Sequence, residues 1–131
     1  MKYEVLSPDE LRTIMEDALS SGLLVTQGES QMSEAQAAKD LEKILSQTEA
    51  AEEAYIAKEC DGRFRAVVFH CLTFSQMKDK EATCVASGKL APVSKPMSKG
   101  EAITKIKAFN LTGISKYLVK DGDEYRTFFH F

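Results

Sequence analysis

The sequence predicts an α+β fold: a two-layer sandwich of about three helices on an antiparallel sheet of four to five strands. Three observations carry this. Capped amphipathic patterns mark helices at "LSPDELRTIMEDALSSG", "MSEAQAAKDLEKILSQTEAAEE" and "MSKGEAITKIKAF". Two Tyr-led segments, "YIAKECDGRFRAVVFH" from Tyr55 and "YLVKDGDEYRTFFHF" from Tyr117, each read as strand, glycine turn, strand. Each hairpin follows a helix that begins with Met-Ser. Helices that each precede their own hairpin pack most simply on one face of one sheet.

The first helix is specified locally. Ser7 is the N-cap, Pro8 takes the first helical position and Glu10 completes a capping box. Leu6 and Leu11 are placed for a hydrophobic staple. Leu11, Ile14, Met15, Ala18 and Leu19 form one apolar stripe, and Gly22 offers the left-handed conformation that ends a helix. "TQGESQ" then reads as a loop.

The second and third helices repeat one pattern. Ser33 with Gln36 and Ser98 with Glu101 make the caps. Ala37, Leu41, Ile44 and Leu45 make one stripe, and Ala102, Ile103, Ile106 and Phe109 the other. The order helix, strand, strand recurs, with Phe-His late in each second strand, so the sequence also reads as an internally duplicated helix–hairpin module. The parts are 1–31 (helix and loop), 32–74 (first module), 75–96 (strand and linker) and 97–131 (second module), in one domain.

Turn chemistry sets the register of the hairpins. At Asp61-Gly62 a two-residue loop would oppose Lys58 and Arg65, a like-charge pair. A three-residue loop with Gly62 at the bulge opposes Glu59 and Arg63, and is preferred. The second hairpin turns around Asp121-Gly122-Asp123. "EATCVASGKL" reads as a further strand, and "APVSKP" as a linker that two prolines keep from being helix. Leu111 to Val119 reads as strand. Read as helix, it would give a winged helix-turn-helix.

Composition bounds the function. With 44% hydrophobic and 28% charged residues in 131, the chain is that of a globular protein rather than a disordered one. Its longest apolar run, Ala66–Phe69, is far short of the ~20 residues a membrane span needs. "MKYEVLSPDE" lacks the apolar region of a secretory signal. Three cysteines without a CxxC pair suit a reducing cytoplasm. Charge is unevenly spread: residues 1–54 hold 4 basic and 12 acidic side chains, whereas residues 89–131 hold 8 and 4.

Catalytic and metal patterns are missing. His70 and Cys71 are strand neighbours that point to opposite faces. A contact of Cys84 with His70 or His130 is sterically open, but no spacing calls for it. There is no HExxH, no phosphate-binding loop and no dinucleotide fingerprint. The expectation is a protein without catalytic residues, metal or cofactor, of a regulatory, inhibitory or immunity type, that acts on a protein partner. The expected contacts are Arg63, Arg65, Phe69, Arg126, Phe128 and His130, on a helix-free face of the sheet, because Arg and aromatic side chains anchor protein interfaces. Nucleic acid is the alternative partner, since such a face also stacks single-stranded bases. No membrane role is expected, and the oligomeric state is not specified.

Overall fold

The computed structural model describes residues 3–131. Among the described residues the fold is α+β, with four helices and two mixed sheets of four and three strands. The chain divides into two compact units. One holds the residues up to Leu19 together with Leu24–His70, and the other holds Ser20–Leu23 with Cys71–Phe131.

In the first unit, β1 (Glu4–Leu6), β2 (Leu24–Gln27), β3 (Ala51–Lys58) and β4 (Phe64–His70) form a sheet of order β1-β3-β4-β2. The β1–β3 pair is parallel and the others are antiparallel. Helix α1 (Pro8–Ser20) follows β1, with the expected capping box: Glu10 N–H donates to Ser7 Oγ and Ser7 N–H to Glu10 Oε1. Helix α2 (Glu34–Ser46) starts at its Ser33 cap and lays Ala37 and Leu41 on Ile56, Ala66 and Val68, all without exposed surface. Burial of that order contributes roughly 1.5–3 kcal/mol per large aliphatic side chain. The sequence extends α2 through "TEAAEE", but the helix stops at Ser46, and β3 claims Ala51–Glu53 by pairing with β4. Ladder bonds outweigh the helix propensity of those alanines and glutamates.

The first hairpin has the preferred three-residue loop. Glu59 N–H donates to the Arg63 carbonyl at 2.8 Å and Gly62 N–H to the Glu59 carbonyl at 3.0 Å, with Gly62 at φ 84°. This is the left-handed bulge position that glycine fills without a Cβ penalty.

In the second unit, β5 (Leu72–Thr73), β6 (Ser115–Asp121) and β7 (Glu124–His130) form a sheet of order β5-β6-β7. Again the first pair is parallel and the second antiparallel. Helix α4 (Lys99–Ala108) follows its Ser98 cap and buries Ala102 and Ile106. Residues 115–121 are strand, which removes the second helix that a winged helix-turn-helix requires.

Three expectations need correction. There are two sheets, both mixed, rather than one antiparallel sheet. The described residues form four helices, not about three. The fourth is α3 (Phe74–Ala86), where "EATCVASGKL" was expected to be a strand. The physical reason is a complete capping box: Gln76 N–H donates to Thr73 Oγ1 and Thr73 N–H to Gln76 Oε1. At the far end, Lys89 N–H reaches the Cys84 carbonyl and Gly88 N–H the Val85 carbonyl, with Gly88 at φ 73°. That is a Schellman termination. Start and stop signals were both present, and they override the β-branched residues between them.

The two halves of the chain share one plan. Beyond β7, an extended segment bridges Val93 to Phe128 and Met97 to Tyr125, where β2 and Gln31 flank β4 in the first half. Gly28 N–H to the Ala66 carbonyl is matched by Ser94 N–H to the Thr127 carbonyl. From Leu6 to Gln31 and from Leu72 to Met97 the correspondence keeps a constant spacing without a gap. Ser7 answers to Thr73, Ala18 to Cys84, and Gly22 to Gly88. The shared pattern therefore starts at β1 and β5, well before the helix–hairpin segments that the sequence shows.

Candidate binding surfaces

The strand pairings align two arginines. Arg65 opposes Ala57 and Arg126 opposes Val119, and each reaches an acid two residues beyond the residue it opposes. Arg65 Nε lies 3.4 Å from Glu59 Oε1, and Arg126 Nε 2.8 Å from Asp121 Oδ2. Arg126 also donates to the Ser94 carbonyl at 3.1 Å and lies 5.3 Å from the Phe74 ring centroid. It is thus a well-anchored structural side chain.

The expected helix-free face is not open. Phe69 and Phe128 have no exposed surface. In the second unit the face bearing Arg126 and Phe128 lies under α3: Phe74 meets Arg126, and Lys80 stands 5.5 Å from the Tyr117 centroid, itself stacked on Phe128. Arg63 is exposed in its hairpin, beside Asp61 at 3.6 Å, while Arg65 and His130 are half-buried. Arg63, Arg65 and Phe69 belong to one compact unit, and Arg126, Phe128 and His130 to the other. In the second unit the cover is α3, where a strand was expected.

The opposite face of β7 carries an apolar surface. Phe109, at the end of α4, stacks on Phe129 at 4.5 Å and meets Phe131 edge-on at 6.1 Å. Phe131 N–H donates to the Leu90 carbonyl, so Leu90 continues this face across the strand pair. Yet Leu90 is 72% exposed and Phe131 39%, and Leu111, two residues beyond Phe109, is 57% exposed. Lysines flank the surface: Lys89 precedes Leu90, Lys107 precedes Phe109 on α4, and Lys116 Nζ bonds the Phe109 carbonyl. The available signal was the C-terminal aromatic run itself, which has more rings than one short helix can cover.

A cleft of about 350 Å³ lies on the α3 side of the same sheet. Its walls are Asp79, Lys80, Thr83, Cys84 and Ser87 from α3 and its cap, Lys89 after the Gly88 turn, and His130 from β7. Cys84 and His130, open as partners in the sequence, do line one cavity.

In the first unit, Tyr55 packs edge-on against Phe69 at 6.0 Å. Burial raises its phenol above the ordinary 10.0, helped by the negative charge of Glu53, which also accepts its hydrogen bond, and of Glu4. Among the described residues no helix is long and apolar enough to cross a membrane. Comparison of the chain with family models, with curated proteins and with solved structures finds no match.

Proposed function

We propose that this chain is a duplicated βαβαββ unit that works as a protein-binding module, taking an acidic, apolar segment of a partner protein on the surface formed by Leu90, Phe109 and Phe131. The supporting observation is the exposure of Leu90 and Phe131 beside a stacked aromatic pair, in a stretch with 8 basic and 4 acidic residues. Contiguous apolar surface rimmed by charge of one sign marks an interaction site rather than a solvated face. Aromatic side chains supply the anchoring area, and the lysines select an acidic partner by charge complementarity. A regulatory, inhibitory or immunity-type role agrees with a small chain that acts by occupying another protein.

The test is capture of a partner on immobilised protein, with and without nuclease, followed by measured binding of the identified partner. Wild-type protein should retain it in the presence of nuclease, and Leu90→Ser with Phe131→Ser should weaken binding by at least about 2 kcal/mol, the scale of interface anchors. Retention that nuclease abolishes would assign nucleic acid instead, and undiminished binding by the double variant would move the site elsewhere. Self-association through the same surface would show as a dimer that the double variant loses.

A further inference from the structure

The cleft beside α3 occupies positions that differ in kind between the halves of the chain. Lys80, Lys89 and His130 line it, and the corresponding residues of the first half are Ile14, Leu23 and Phe69. Three apolar residues are thus answered by two ammonium groups and an imidazole. Phe69 and Leu23 are buried, whereas Lys80 and Lys89 are exposed and His130 is half-buried. The cleft floor holds Cys84, 4% exposed, where the first half has Ala18. Ser87 keeps its hydroxyl in both halves, as Ser21, and Thr83 replaces Asp17, removing a negative charge from the wall.

We infer that this cleft binds a small organic anion: a carboxylate or phosphate carried on a short apolar body. Lys80 and Lys89 supply charge-assisted donors and His130 a directional one, while the Thr83 and Ser87 hydroxyls, which donate to the Asp79 and Thr83 carbonyls, line the wall. The apolar body rests against Cys84 and the aliphatic stems of the two lysines. Two groups oppose the anion. Asp79 carries one negative charge at the exposed rim, and the C-terminal end of a helix is electronegative. The latter is blunted, because the Cys84 and Val85 carbonyls are taken by the Lys89 and Gly88 N–H groups. A volume of about 350 Å³ falls at the lower end of small-molecule sites.

Titration of the whole protein with benzoate, phenyl phosphate and inorganic phosphate, followed through amide and imidazole resonances, tests this. Saturable shifts are expected at Thr83, Ser87, Lys89 and His130 with one or both aryl anions, and stronger than with inorganic phosphate. Preference for benzoate assigns a carboxylate ligand, and preference for phenyl phosphate a phosphate ester. Lys80→Gln with Lys89→Gln should weaken binding at least about tenfold, the effect of losing roughly 1.4 kcal/mol. Both lysines are exposed, so the rest of the spectrum should stay unchanged. Lys58→Gln, an exposed lysine of the other unit, should have no effect. Absence of saturable shifts, inorganic phosphate binding as tightly as the aryl anions, or shifts that survive the double substitution would overturn the inference.

Discussion

Phe69 and His130 hold the same position in the two halves of this chain. Each stands four residues after its strand arginine, Arg65 or Arg126, and on the same side of the strand. Phe69 has no exposed surface, whereas His130 lines a cleft. Of the three replacements that line the cleft, this is the one at a fully buried ring position.

His130→Phe should therefore stabilise the second unit, by about 1 kcal/mol for partial burial of a ring, while narrowing the cleft. The reverse change, Phe69→His, should cost about 3 kcal/mol, since it both leaves a void and buries a polar ring. Urea denaturation of the two variants checks this. Equal effects of one sign would show that the positions are not equivalent.

Gly22 and Gly88 make a second matched pair. Both have positive φ, 84° and 73°, so alanine at either should cost about 1–2 kcal/mol for the left-handed conformation alone. Only Gly22 is also crowded: an added Cβ would stand 2.7 Å from Leu118 N and 2.9 Å from Ile106 Cδ1. Gly88 has nothing within 4 Å. Gly22→Ala should exceed Gly88→Ala by a further ~1–3 kcal/mol of overpacking, measurable as a lower denaturation midpoint.

The two strand arginines should differ as well. Arg65→Ala removes a loose, partly exposed pair and should cost under about 1 kcal/mol. Arg126→Ala loses Asp121, the Ser94 carbonyl and the Phe74 ring together, and should cost about 2 kcal/mol. Arg126→Lys should recover little, because an ammonium cannot serve three planar contacts at once.

Tyr55 sets an alkaline prediction. Its phenol is raised above 10.0 in the fold, so the folded state holds its proton longer than the unfolded chain does. The stability this contributes is complete below pH 10 and is lost as pH rises through the folded value. Tyr3, hydrogen-bonded to Glu34, is raised as well, so tyrosinate absorbance should show two ionisations above 10.0, of which Tyr55→Phe removes one. Glu53→Gln should lower it only in part, because burial is the larger cause.

Much of the fold was legible because its signals are local. The caps at Ser7, Ser33 and Ser98, the glycine turns and the Glu59–Arg63 register all follow from neighbouring residues. Helix α3 was misread although Thr73, Gln76 and Gly88 announce it, because Thr83, Cys84 and Val85 gave a short β-prone run. With α3 absent from that reading, the cover over Arg126 and Phe128 was absent too. The parallel pairing of β1 with β3 and of β5 with β6 is non-local, and two- or three-residue strands leave no periodicity to read. The exposure of Leu90 and Phe131 belongs to packing alone.

The most direct measurement places a photo-crosslinking side chain at position 90 and, separately, at position 32. Leu90 and Met32 are each 72% exposed, so reactivity toward passing molecules should be equal. A discrete protein adduct that forms from position 90, is absent from position 32 and disappears with Phe131→Ser is the predicted result. The same adducts from both positions, or a nucleic-acid adduct from position 90, would contradict the proposed protein-binding surface.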